Sequence, residues 1–277
     1  MTIHTKFQRL HPIATVSLVL ILQLALTACT SIAVNVPSGR MVSSESLPLL
    51  KTRIGTGGAT QASVEVESDA SSRPFTYDQP KYENMPELGF VRGALGVGQG
   101  FEILAKGGTY QGSSGVWGKY QFFGPRVTEG AAEDTSLAAT VGFVGASDFG
   151  AGDQNGIGGP GGFDWNARAN SWGTDFALIW GYRIDDRFLI FGGPFYTAWK
   201  YNIKIHHDRS DDGTSPEADY TLNGEGERKG VSLAMEFSTQ ARVRFVLIPE
   251  LVVSHLTWTN LEPRTTLDLG VTTAIQF

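Results

Sequence analysis

A single cysteine, Cys29, stands in a chain of 277 residues, so no disulfide can form within it. Charged residues are scarce at 18%, and cations are outnumbered, leaving a formal net charge of −6. That balance argues against a nucleic-acid partner, whose affinity comes largely from cations on phosphates. Long apolar runs are nearly missing. The one that stands out, Ile13 to Leu26, is shorter than the roughly 20 residues that a membrane-spanning helix needs. Glycine, by contrast, is abundant at 34 residues, and aromatics make up 11%.

The apolar run belongs to a targeting segment, residues 1–28. Lys6 and Arg9 supply its positive start, and Ile13 to Leu26 its apolar centre. Leu26-Thr27-Ala28-Cys29 follows. This resembles a bacterial lipobox, which implies cleavage before Cys29 and attachment of diacylglycerol to its thiol. The alternative is an ordinary signal peptide with an incidental cysteine. Thr30, rather than an aspartate, follows Cys29; by resemblance to sorted lipoproteins this implies the outer membrane. The segment carries two cations and no acid, so its removal takes the net charge from −6 to −8. Residues 29–60 hold few aromatics and no sustained period, and are expected to be a flexible tether. An N-terminal arm or plug is the alternative.

The last residues, Thr265 to Phe277, alternate. Leu267, Leu269, Val271, Ile275 and Phe277 take one parity, while Asp268, Gly270, Thr272, Ala274 and Gln276 take the other. Alternate side chains of a strand point to opposite faces, so one face is apolar and ends on an aromatic. This resembles the closing strand of bacterial outer-membrane β-barrels. The resemblance implies that Phe277, Ile275, Val271 and Leu269 form the signal read by the barrel-assembly machinery. With the lipobox, it also implies outer-membrane lipid and lipoprotein-sorting machinery as partners.

Ten strands are expected, at residues 61–67, 88–97, 100–107, 114–123, 135–146, 172–183, 187–205, 229–239, 242–258 and 265–277. Pro249 cannot donate to a ladder and suggests a bulge. The links at 98–99, 184–186 and 240–241 are short, whereas 68–87, 147–171 and 206–228 are long. Tight turns at one end and long loops at the other are what a membrane barrel uses. The expected fold is therefore all-β: a closed antiparallel up-and-down transmembrane β-barrel over residues 61–277, of about ten strands, with eight as the alternative. Ten strands would put both termini on the periplasmic side and the long loops outside. Mean hydropathy near zero (−0.09) is no objection, because lumen-facing residues of such barrels are polar.

Alternation also assigns faces. The lumen is expected to hold Arg92, Lys106, Lys119, Arg183, Lys200, Lys204, Arg242 and Arg244, against Glu65, Glu67, Glu102, Asp175, Glu236 and Asp268. These read either as ion pairs filling the lumen or as a narrow pore with slight anion preference. Trp172, Trp180, Tyr182, Trp199, Tyr201 and Trp258 are expected in interfacial aromatic girdles. The soluble alternative is a lipocalin-like lipoprotein, whose Gly-x-Trp signature Gly115-Val116-Trp117 resembles, but in the fourth strand.

No cofactor, resident metal or catalytic residue is implied. His206, His207, Asp208, Asp211 and Asp212 share one loop, but their spacing is not diagnostic of a metal site. His207-Asp208 resembles one half of the site of the ten-stranded omptin proteases, with no second acidic pair in place. It is the basis of the alternative reading, a rim hydrolase acting on lipid or peptides. Ser254-His255 invites comparison with barrel lipid-A deacylases, but adjacent strand residues face opposite ways. Residues 150–162, with Asp153 and Asn155, lack the ordered acids of an EF-hand. The expected role is structural, adhesive or that of a narrow channel.

Overall fold

The computed structural model describes residues 31–35, 42–69, 76–77, 81–108, 113–127, 132–153, 164–207 and 218–277. The expected signal segment, Cys29, Asn155, Asp208, Asp211 and Asp212 lie outside the described residues. Among the described residues there are twelve strands: β1 (Ser31–Asn35), β2 (Thr52–Asp69), β3 (Thr76–Tyr77), β4 (Lys81–Gly98), β5 (Phe101–Gly108), β6 (Ser113–Phe123), β7 (Asp134–Asp153), β8 (Asp164–Asp185), β9 (Phe188–His207), β10 (Ala218–Ser238), β11 (Arg244–Trp258) and β12 (Leu261–Gln276). Strands β4 to β12 pair antiparallel in sequence order. β2 then bonds both β12 and β4 and closes a ring of ten. β1 and β3 are additions, each paired to β2.

Every expected strand is found, with altered ends. The wall begins at Thr52 rather than 61. Residues 52–60 hide their strand character because they are rich in Gly and Thr, yet both edges are paired, to Arg53–Ala59's partners on β12 and to β4. Pro249 sits opposite Val271 without a register shift, so the expected bulge is not there; the irregularity falls at Leu256/Trp258. The long links shrink to 70–80, 154–163 and 208–217, because 147–153, 164–171 and 218–228 continue as strand.

One end of the barrel carries the C-terminus, where Thr52 and Phe277 exchange backbone bonds of 3.1 Å, together with the turns at Gln99-Gly100 and Asp186-Arg187. We term this the terminus end, and the opposite end the loop end. Around the barrel above the terminus end runs a belt of outward apolar side chains. Phe143, Leu178, Val231 and Leu269 are between 56% and 75% exposed, with Val141, Phe176, Leu233, Leu251, Val253, Leu267, Val271 and Ile275 beside them. On β12 the belt runs from Leu267 to Phe277, matching the roughly 9–11 residues of a tilted crossing strand. A continuous apolar surface of this extent demands a nonaqueous neighbour. Closing the sheet pairs the wall strand to strand without water, at the β12–β2 seam as far as Gly270↔Ala59. A soluble lipocalin-like barrel would place this face inside, so that alternative fails.

Strands β7 to β10 are 20 to 22 residues long, about twice what the bilayer requires. Their loop-end halves reverse the polarity of the belt. Inside, Ala167, Ala169, Trp199, Tyr201, Ile203, Ile205, Leu256 and Trp258 form a core with Ile32 and Val34 of β1 and Ala62 and Val64 of β2. Tyr201 stacks on Trp258 at 4.4 Å between ring centroids. A Cβ on Gly226 would overlap the Trp199 ring, so glycine lets the indole lie against the wall. Burial raises the Tyr201 hydroxyl above the ordinary phenol value, with Trp258 acting in the opposite sense. Outside, Arg168, Lys200, Lys204, Asn223, Glu225 and Glu227 are exposed. Trp199, Tyr201 and Trp258 are therefore core rather than girdle, and Lys200 and Lys204 point outward rather than into the lumen. Period-2 alternation separates two faces but cannot say which one meets lipid, water or core, and here the answer changes along a single strand.

Candidate functional site

The lumen is the place where charge is concentrated, and the chain itself occupies it. Residues 42–47 are buried inside the ring, in the segment expected to be a tether. Glu45 receives Arg183 in a two-point pair, Nε to Oε1 at 2.7 Å and Nη2 to Oε2 at 2.5 Å. Such bidentate, charge-assisted bonds are among the strongest that side chains make. Lys119 donates to the carbonyls of Ser43 (3.0 Å) and Glu45 (2.8 Å) and pairs with Glu102 at 2.8 Å. Glu102 accepts the amide of Leu47 at 2.9 Å, and Gln121 accepts that of Ser46 at 2.6 Å. Ser136 bonds Ser44 at 2.7 Å. A Cβ on Gly96 would overlap the carbonyls of Leu47 and Pro48, so only glycine leaves room for the plug to turn toward the wall.

The other lumen charges are matched within the wall. Arg53 pairs with Glu236 at 3.0 Å, Lys106 with Glu87 at 2.7 Å, and Arg228 with Asp268. Asp175 accepts Trp117 Nε1 at 3.0 Å and the Thr197 hydroxyl at 2.6 Å. Apolar side chains, among them Leu104, Ile179, Leu189, Phe191, Phe195 and Ile248, fill the space between the pairs. Beside Ser43, Arg53, Arg92, Glu102 and Thr272 lies a cavity of about 20 Å³, room for about one water molecule.

Of the expected lumen charges, Arg92, Lys106, Lys119, Arg183, Glu102, Asp175, Glu236 and Asp268 are there; Arg244 is half-buried and donates to the Val127 carbonyl at 3.3 Å, and the side chains of Glu65 and Glu67 lie outside the described residues. Lys200 and Lys204 are not in the lumen, for the reason given above. Arg242 is exposed in the turn before β11. That turn runs over 239–243, closed by Thr239 N to Phe245 O at 3.0 Å, and is longer than the two residues expected. Glu45, Arg53, Glu87, Arg228 and Glu250 were missed. Arg228 shares parity with Glu236 and falls one residue before the expected strand 229–239, whereas Glu250 lies inside the expected strand 242–258 with the parity of Arg244 and is readable from it. With Lys200, Lys204 and Arg242 gone, and Arg53 and Arg228 added against Glu45, Glu87 and Glu250, the expected excess of cations disappears, and with it the basis for an anion-selective pore.

At the loop end, His206 Nδ1 lies 2.7 Å from Asp219 Oδ1, while the side chain of His207 lies outside the described residues, as does that of Asp153. No cluster of metal-ligating residues occurs among the described residues. Ser254 is buried in the lumen, bonded to Arg228 Nε and Thr266 at 2.8 Å each, whereas His255 is on the outer face. They form no dyad.

A closed ten-stranded ring, an apolar belt around it and a charge-paired lumen define a transmembrane β-barrel. No family model and no curated protein matches the chain. Among solved structures it is similar to Ail, the attachment invasion locus protein of Yersinia pestis, at 10% identity and a TM-score of 0.27, over 83% of this chain and 99% of that one. Ail in complex with the heparin analogue sucrose octasulfate gives 8% and 0.31 over the same shares. OccD1 (OprD) gives 8% and 0.15, over 84% and 97%. At such values these likenesses carry no weight for activity, and the assignment stands on the ladder and the belt.

Proposed function

We propose that the chain is a lipid-anchored outer-membrane β-barrel whose role is structural or adhesive, with Cys29 as the lipid attachment site, the loop end outward and the lumen closed to traffic. The observation that carries this reading is the occupied lumen: residues 43–47 lie within it, Lys119 donates to the carbonyls of Ser43 and Glu45, and Arg183 holds the Glu45 carboxylate. The tall wall of β7 to β10 supports display rather than transport, since it projects a polar outer surface well beyond the belt. Purified protein in planar bilayers is expected to give no sustained conductance steps. Steady open-channel currents from the unmodified protein would sink the sealed-barrel reading.

The C-terminal aromatic has a separate role in this proposal. Phe277 lies at the edge of the belt and is 46% exposed, one of several residues suited to the interface. Its deletion is expected to leave a protein that refolds in detergent but fails to accumulate in the outer membrane, measured by fractionation and heat-modifiable gel mobility. Normal accumulation would remove Phe277, and with it the Leu269, Val271 and Ile275 series, as an assembly signal.

A further inference from the structure

We infer that the N-terminal segment threads the barrel from end to end, so that the mature chain starts at the loop face and the lipid on Cys29 is held in the loop-side leaflet. The second half of this inference rests on the lipid anchor proposed above; the first does not.

Three fixed points along the segment set its path. At the terminus end, Leu50 N bonds Gly96 O at 2.9 Å, and Thr52 is tied to Phe277. Inside the lumen, just above the terminus end, Ser46, Ser44 and Glu45 are bonded to β6, β7 and β8 through Gln121, Ser136 and Arg183, and Ser46 also to the Gly100 carbonyl. At the loop end, β1 adds to β2 in the register Ser31↔Glu67 to Asn35↔Ser63. The sense of travel follows from this pairing. β2 runs from the terminus end at Thr52 toward the loop end, and β1 is antiparallel to it. β1 therefore starts at the loop end and heads down the lumen, as it must to reach Lys51.

The wall has made room for it. β12 pairs β2 only as far as Gly270↔Ala59, and beyond this β2 parts from β12 and offers its free edge to β1. Ile32 and Val34 are 1% and 2% exposed, packed in the apolar core with Ala167, Ala169, Ile203 and Ile205. A strand buried among such partners is built into the fold and is not a passing contact.

Chain length then fixes what lies upstream. Ser31 is two positions beyond Cys29, with only Thr30 between them, a reach of about 7 Å at full extension. Glu67 is separated from Thr52 by roughly 50 Å of strand. Strand tilt shortens this to about 40 Å of height, and β1 sits above the belt, so an acyl group on Cys29 turns back along the loop-end wall to the nearer, loop-side leaflet and does not reach the one at the terminus end. The anchor and the C-terminus thus belong to opposite faces of the membrane, contrary to the expectation that both termini share the periplasmic side.

The test places one epitope between Thr30 and Ser31 and another, in a separate full-length variant, within loop 208–217. Antibody binding is compared on intact and permeabilised cells, with folding checked by heat-modifiable mobility. Threading requires both epitopes to be reached from the same side of the membrane; opposite sides for folded protein overturn it. Should the first insertion block folding, the pair Val34→Cys with Val64→Cys replaces it. Oxidation should join these two residues, identified by peptide mass, and no bond between them in folded barrel overturns the threading. Labelled palmitate separates the lipid question: incorporation that is lost in Cys29→Ser supports the anchor. A lack of label in the unmodified protein removes the leaflet assignment while the epitopes still decide the path.

Discussion

Replacing Glu45 with alanine is expected to destabilise the folded barrel by about 3–5 kcal/mol, the usual cost of leaving one member of a buried ion pair without its partner. Arg183 is 1% exposed, and both of its carboxylate bonds go to Glu45; its remaining bond, to the Asp185 carbonyl at 3.3 Å, cannot balance the charge. The measurement is urea unfolding in lipid vesicles or detergent, followed by gel mobility or tryptophan emission. The double variant Glu45→Ala with Arg183→Met should recover most of the loss, because Met fills similar space and leaves no charge to solvate. If the single and double variants are equally unstable, the cost lies in plug packing and not in the ion pair. If the single variant unfolds like the unmodified protein, water reaches Arg183 and the lumen is less sealed than its geometry implies. Loss of the anchor should also loosen the plug, so brief conductance events are expected from Glu45→Ala where the unmodified protein gives none.

The wall of the barrel was legible because one face of each crossing strand is apolar. Strand β8 shows this well: Trp172, Phe176, Leu178 and Trp180 point out, and Asp175 and Arg183 point in, as alternation demands. The plug was not legible. Residues 42–50 have no period, since they form neither helix nor strand, and the burial of 42–47 comes with backbone bonds to Lys119, Glu102 and Gln121 that leave no trace in local sequence. The extramembrane half of the wall was misread for a different reason. In β9, Phe195, Trp199, Tyr201, Ile203 and Ile205 alternate with Tyr196, Lys200, Asn202 and Lys204 as clearly as any lipid-facing strand. The sequence pattern is the same for a strand with lipid outside and for one with a core inside. Only the shape of the ring, which rises beyond the belt and is filled there by β1, decides between them. Glu45 and its neighbours therefore needed the structure, whereas Arg228 needed only a correct strand end and Glu250 only its parity within the expected strand 242–258.

That inversion along the wall yields the other large effect. On β10, Leu233 and Thr221 have the same parity and both face outward and exposed, Leu233 in the belt and Thr221 in the loop-end half. Leu233→Lys is expected to destabilise folding into lipid bilayers by about 2–4 kcal/mol, the cost of a lysine near the midplane of a barrel's lipid face. Thr221→Lys should change stability by no more than about 0.5 kcal/mol, as an exposed surface substitution does. A lumen residue would make a poor control. Thr272 is 2% exposed and lines the cavity that holds Arg53 and Arg92, so a lysine there meets two like charges without room to turn. Using one strand and one face removes pairing and parity as explanations, and leaves depth as the only variable. Refolding in vesicles of matched thickness, with stability read from denaturant titration, measures both variants. Equal costs would mean that the membrane reaches the loop-end half of β10, and the core behind it, with Trp199, Trp258 and β1, would then lie within the bilayer rather than beyond it.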